Sequence, residues 1–339
     1  MSGWTRRGVL GAGALAAAGL VWPRGLAQTA TSVAGGGAGA GVGAGAGRRA
    51  RRRVIRIAHV TDTHIMQDLR APEGVAACFE HIRGQKDVDL IMHGGDIVFD
   101  SMDQSLARSK ELWALWQKVL GDSWKGRVRY CLGNHDVWGW NKERSKTTGD
   151  EPGWGKQLAL DTLGMQGAVP KGAYYSFDEV VSGAGWHIIV LDTVRPEPNG
   201  YYAGLDDEQF EWLRGDLSLN RMYPTMILSH IPIFTATVLD REPNERRERI
   251  VTPGRMCIDY GRIKKLFLEN PQVKLCLSGH MHLIDRVEYN GVTYCCNGAA
   301  SAAWWKGPHR ECREGYTLVD LYSDGTFENR YVEYGWKAG

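Results

Sequence analysis

Five short clusters of carboxylate, amide and imidazole side chains are spaced along this chain of 339 residues. They read Asp62-Thr63-His64, Gly94-Gly95-Asp96, Gly133-Asn134-His135-Asp136, Ser229-His230-Ile231-Pro232 and Ser278-Gly279-His280-Met281-His282. Nitrogen and oxygen donors without a thiolate suit Mn, Fe or Zn better than Cu(I) or an iron–sulfur cluster. Two Asp, one Asn and four His are too many for one tetrahedral ion. They are enough for two ions that share a bridging carboxylate. Glycines beside Asp96, Asn134 and His280 would let the backbone turn sharply and approach such ions.

The elements that must position these groups alternate. β-Branched or apolar runs at 54–60, 88–93, 128–132, 186–191, 225–228 and 273–277 read as strands. Helical spacing is found at 73–85 and 104–120, and at 206–217, which acidic residues open. Strands alternating with helices predict a layered α/β domain. The tail segments 284–289, 292–296, 316–321 and 326–332 read as consecutive hairpin strands, turned at Asn290-Gly291 and Asp324-Gly325. Most of the strands before the tail stop at one of the five clusters. In an open α/β sheet, sites assemble beyond the carboxyl ends of strands, so five strand ends point at one place.

The series Asp-x-His, Gly-Gly-Asp, Gly-Asn-His-Asp, Ser-His-x-Pro and Gly-His-x-His, in that order from residue 54 to about 300, resembles the calcineurin-like metallophosphoesterase superfamily. Gly204-Leu205-Asp206-Asp207-Glu208-Gln209 with Trp212-Leu213 is similar to a helix start in its cyclic-nucleotide-phosphodiesterase-like and purple-acid-phosphatase-like branches. The resemblance implies a β-sandwich flanked by helices, with the site at the carboxyl ends of the strands. It also implies two divalent or trivalent transition-metal ions. The first would take Asp62, His64, Asp96 and His282; the second Asp96, Asn134, His230 and His280. His135 would act as general acid or as a donor to the transition state, with Asp136 orienting it. Two close cations lower the pKa of a shared water and clamp phosphoryl oxygens, which is hydrolysis of a phosphate ester. A phosphodiester is the expected substrate, small or lipid-derived. A phosphomonoester is the alternative, and a metal-binding envelope protein without catalysis is the alternative of another class.

Around this core the sequence is less specific. Trp138, Trp140, Trp304 and His309 are candidates to line the mouth, against plain packing. The loops 141–175 and 233–256 are expected to decide substrate. Arg241, Arg246, Arg247, Arg249 and Arg255 alternate with acids and read as a solvated face. No P-loop, dinucleotide glycine fingerprint or nucleophile elbow is present.

Residues 1–27 read as an export signal. Arg6-Arg7 precede a weak apolar stretch and resemble the twin-arginine type, whose export machinery would be a partner and whose destination is the periplasm or beyond. That stretch is too short and weak for a transmembrane span. Residues 28–53, rich in Gly, Ala and Arg, read as a flexible linker, and 54–339 as one domain. Residues 1–53 carry eight Arg and no acid; taking those from 41 Lys and Arg leaves 33 basic against 39 acidic groups in the body. An acidic body gives no reason to expect nucleic acid as the main partner. Seven cysteines are too few for a disulfide scaffold and are expected as buried small hydrophobes.

Overall fold

A computed structural model of the chain describes residues 51–165 and 173–338. The expected signal peptide and nearly all of the expected linker lie outside the described residues. The linker's last three residues, however, belong to the fold. Arg53 opens β1 (Arg53–Val60), Arg51 pairs with Glu328 at 2.8 Å, and Arg52 donates to the Val181 carbonyl at 2.6 Å.

Two sheets face each other. In the first, β1, β2 (Leu90–His93) and β3 (Val128–Tyr130) run parallel. In the second, the inner strands β5 (Ala184–Leu191), β8 (Thr225–Ser229) and β9 (Val273–Ser278) run parallel, with β4 (Tyr175–Val181) antiparallel at one edge. The inner strands alternate with period two and bury both faces. Trp186, Ile188 and Val190 of β5 join Ile55, Ile57, Leu90 and Met92 between the sheets, whereas Ile189 and Leu191 face outward. Those outward residues are covered in turn by Leu213 and Leu217 of α5 (Asp207–Leu219) and Ile263, Leu266 and Phe267 of α6 (Tyr260–Leu268). On the other side α1 (Ala71–Arg83) and α2 (Leu106–Ser123) bury Val75, Phe79, Leu112, Trp113 and Trp116 against the first sheet. The order helix, sheet, sheet, helix is the expected α/β sandwich. Caps fix the helix starts: Ser105 accepts from the Arg108 N–H at 3.3 Å, and Asp206 from the Gln209 N–H at 2.8 Å.

The tail forms the two expected hairpins, turned at Asn290-Gly291 and Asp324-Gly325, and they lie on different sheets. β10 (Ile284–Tyr289) and β11 (Val292–Asn297) extend the second sheet beside β9, while β12 (Gly315–Tyr322) and β13 (Phe327–Glu333) extend the first beside β1. The crossing between the sheets, residues 298–314, thereby passes the strand ends. Sequence reading missed β4, α6, the short helices α3 (Lys142–Ser145) and α4 (Gln157–Thr162), and the hairpin of β6 (Val194–Glu197) and β7 (Gly200–Ala203).

All seven cysteines are buried and unpaired. Among the described residues no helix is long and apolar enough to cross a membrane.

One polar tie holds α5 to the sheet. His187 of β5 lies between Asp178 Oδ1, its cross-strand neighbour, and Asp216 Oδ2 of α5, each at 2.6 Å. Carboxylates only accept, so both ring nitrogens must carry protons. Burial opposes that charge, but the two carboxylates outweigh it and raise the pKa. The tie therefore stabilises fully below the unfolded histidine value near 6.5 and is lost as pH rises through the higher folded value. His187→Gln should cost about 1.5–3 kcal/mol at pH 6. In denaturant titrations that cost should shrink as the pH is raised; a cost independent of pH would contradict a charged tie.

Candidate metal centre

Each cluster emerges where its strand ends. Asp62 and His64 follow β1, Asp96 follows β2, Asn134 and His135 follow β3, His230 follows β8, and His280 and His282 follow β9. The backbone is forced there. Asp62, His64, Asp96, His280 and His282 all hold positive φ, between 39° and 67°, a region that non-glycine residues seldom occupy. Gly133 is required by space: a Cβ would lie 2.1 Å from Asp96 Oδ1.

The side chains expected as ligands converge. Asp62, His64 and His282 form one set of donors, and Asp96, His230 and His280 another, with the donor atoms of each set within 4.8 Å of one another. His64 Nε2 lies 3.1 Å from His282 Nε2, and His282 Nε2 lies 3.3 Å from Asp62 Oδ1. In the second set His230 Nε2 lies 3.2 Å from Asp96 Oδ2, from Asn134 Oδ1 and from His280 Nδ1. Asp96 Oδ2 faces both sets, 3.7 Å from His64 Nε2 on the other side.

Hydrogen bonding alone does not explain this packing. His230 Nδ1 meets the Gly94 carbonyl at 2.8 Å, His280 Nε2 the Gly254 carbonyl at 2.8 Å, His282 Nδ1 the Ala302 carbonyl, and His64 Nδ1 the Phe99 carbonyl at 3.4 Å. A carbonyl accepts, so each of those nitrogens carries the proton and the other presents its lone pair to the cluster. Neutral rings at His64 and His282 would then aim lone pairs at one another across 3.1 Å. A cation between them resolves this, since ligand bonds of about 2.0–2.2 Å place neighbouring donors roughly 3–3.5 Å apart. The residues fit the two-ion set. Burial holds His64 well below its usual pKa and, with His230 close by, takes His280 down to about 3. Burial also opposes charge on His230, yet Asp96 raises it to about 9, so a cation there competes with a proton.

His135 stands at the edge of the cluster. A ring nitrogen lies within 4.8 Å of His64 and Asp96 donors, closer to the cluster than its place beyond Asn134 suggests. Its Nδ1 lies 3.6 Å from Asp100 Oδ1. Burial would lower its pKa, but Asp96 and Asp100 together raise it to about 9. Asp136, expected to orient His135, does something else. Its Oδ1 accepts from the Ile97 and Val98 N–H groups at 2.8 and 3.2 Å, and its Oδ2 from the Gly133 N–H at 2.8 Å. It braces the two ligand loops against each other, and Asp100 takes the position beside His135.

Two clefts open over the cluster. One, of about 280 Å³, is lined by Phe99, Asp100, Met102, Asp103 and Trp304; the other, of about 270 Å³, by Arg241, Arg255, His280, His282 and His309. Asn134, His135, Tyr201 and Trp304 border both. Trp304 and His309 border these clefts, Trp304 stacking on His282 at 4.3 Å between ring centres. Trp138 and Trp140 do not. Both are buried: Trp138 donates from its indole to the Gln104 carbonyl at 3.1 Å, and Trp140 packs with Val137 and Ile189. Arg241 and Arg255, expected on a solvated face, border the second cleft.

Residues 55–283 match the calcineurin-like phosphoesterase family, and the chain belongs to it. A dimetal phosphatase from Danio rerio shares the fold at 12% identity and TM-score 0.55, covering 84% of this chain and 100% of that one. GAP50, the anchor in the inner membrane complex of Plasmodium, is similar at 13% identity and TM-score 0.48, covering 84% and 86%. A 5′-nucleotidase precursor from Thermus thermophilus is similar at 16% identity and TM-score 0.44, covering 82% and 54%. The last two superpose too loosely to carry an argument. Among curated proteins none matches the chain. Family and donor clusters together indicate a metal-dependent phosphoester hydrolase with a dinuclear site.

Proposed function

We propose that the chain is a phosphodiesterase of the cyclic-nucleotide-phosphodiesterase-like branch, exported by the twin-arginine route to the periplasm or beyond. The observation that carries the diester reading is the pair of clefts meeting at His135. A phosphate with two ester substituents needs room on both sides, whereas a monoester needs one. Asp62, His64, Asp96 and His282 would hold one transition-metal ion, and Asp96, Asn134, His230 and His280 the other. When bound, the pair would lower the pKa of a shared water and offset charge on the phosphoryl oxygens. His135, at the junction of the clefts, donates its proton to the departing alkoxide. Asp100, with Oδ1 3.6 Å from His135 Nδ1, is the positioning residue for that ring. Trp304 and Tyr201 border both clefts.

A panel of chromogenic esters on Mn²⁺-loaded protein tests this. The kcat/KM for bis(p-nitrophenyl) phosphate should exceed that for p-nitrophenyl phosphate at least tenfold. The opposite order makes the chain a phosphomonoesterase, and no turnover of either favours the non-catalytic alternative. For export, the Arg6→Lys/Arg7→Lys precursor should accumulate in the cytoplasm on fractionation; undiminished delivery to the envelope would show that the paired arginines are not the address.

A further inference from the structure

The second cleft holds positive charge that hydrolysis at the cluster does not use. Arg241 and Arg255 both border it. Asp240, the acid beside Arg241 in sequence, is taken by Arg310 at 2.6 Å. Among the described residues neither Arg241 nor Arg255 forms an ion pair, and Arg255 Nε is buried without a hydrogen-bond partner. Arg241 is exposed at the rim of the cleft, whereas Arg255 is half-buried, a position where a guanidinium is ordinarily paired because desolvating it without a counter-charge is costly. Burial, with repulsion from Arg241 and Arg310, accordingly lowers the Arg255 pKa.

Arg255 is also held in register with the cluster. Its N–H bonds the Thr252 carbonyl at 3.0 Å, the next carbonyls along, Pro253 and Gly254, bond the Ala203 N–H and the His280 ring at 2.8 Å each, and Cys257 N–H bonds the Pro232 carbonyl at 3.0 Å. These bonds fix the backbone from which Arg255 reaches the cleft relative to His280. The first cleft, by contrast, offers Phe99, Met102 and Trp304, and its two acids are engaged, Asp100 beside His135 and Asp103 with Arg144 at 2.7 Å.

We infer that Arg241 and Arg255 form an anion subsite for one half of the diester, so that the preferred substrate carries a second phosphate or a carboxylate on that side and an apolar or aromatic group on the other. The inference rests on the phosphodiesterase reading, and the test separates the two. Three p-nitrophenyl diesters are compared, with ethyl, 2-carboxyethyl and 2-phosphoethyl as the second group. One of the two anionic esters should exceed the ethyl ester in kcat/KM at least tenfold, and which of the two does so identifies the anion. Arg241→Gln and Arg255→Gln should each lower that advantage about tenfold through KM, the order of one charge-assisted hydrogen bond. Arg255→Lys should restore part of it. Equal losses on the ethyl and anionic esters would make these arginines a clamp on the scissile phosphate and overturn the subsite, as would the absence of any preference in the unaltered protein.

Calorimetry with propylene-1,3-diphosphonate and propylphosphonate reads the subsite without turnover. Tighter binding of the diphosphonate that disappears in the Arg241→Gln/Arg255→Gln protein supports the subsite even if no diester is cleaved, in which case the phosphodiesterase reading alone falls. Equal affinities in both proteins remove the subsite whatever the kinetics.

Discussion

Asp96→Asn protein, purified without chelators and reconstituted with Mn²⁺, should lose metal at both positions, and activity should fall roughly 10³-fold or more. The reason is placement: Asp96 Oδ2 faces His64 on one side and His230 on the other. The unaltered protein should carry close to two equivalents by elemental analysis. His282→Ala should lose mainly one of them, because His282 approaches only the set with Asp62 and His64. A single equivalent in the unaltered protein after reconstitution, or an Asp96→Asn protein that keeps two, would refute the shared carboxylate.

The second large effect concerns His135. His135→Ala should keep both ions and lose roughly 10²–10⁴ in kcat. The loss should be smaller for nitrophenyl esters, whose leaving group scarcely needs a proton, than for alkyl esters. Asp100→Asn should move in the same direction by a smaller amount and should preserve that dependence on the leaving group, since Asp100 Oδ1 lies 3.6 Å from His135 Nδ1 and would act through that ring. If good and poor leaving groups suffer equally, His135 stabilises transition-state charge instead of donating a proton. Full activity on every substrate with metal retained would take His135 out of the reaction.

The groups that converge on the metal centre were legible because each belongs to a strand end. Asp62, Asp96, Asn134, His230 and His280 lie within three residues of an apolar run, so local pattern and topology together bring them to one edge. What was not legible is set by distant contacts. Asp100 reaches His135 only because the loop after Asp96 folds back, the Phe99 N–H meeting the Ile65 carbonyl at 3.0 Å. Tyr201 arrives on the β6–β7 hairpin, whose eight residues mix polar and apolar types without a readable period. Arg241 and Arg255 look like a solvated run because their neighbours Glu242, Glu245 and Glu248 are acidic; the fold half-buries Arg255 and brings the exposed Arg241 to the rim of the second cleft. Trp138 and Trp140 err the other way. They sit next to the cluster in sequence, but an indole in reach of apolar neighbours gains more from burial than from solvent. Asp136 follows the same logic, since three backbone N–H groups in the ligand loops needed an acceptor.

The left-handed backbone at Asp62, His64, Asp96, His280 and His282 bears on how this protein can be engineered. Each such residue stores of order 1–3 kcal/mol that glycine would largely release. Mutations that delete a metal donor can therefore make the chain easier to fold, and a search that rewards stability alone drifts toward the loss of its centre. Libraries aimed at a tougher enzyme need bound metal as the selection criterion, with melting temperature second. The same reasoning marks the safe ground: positions in α1, α2, α5 and α6 carry none of this strain except at Arg70, the residue that caps α1.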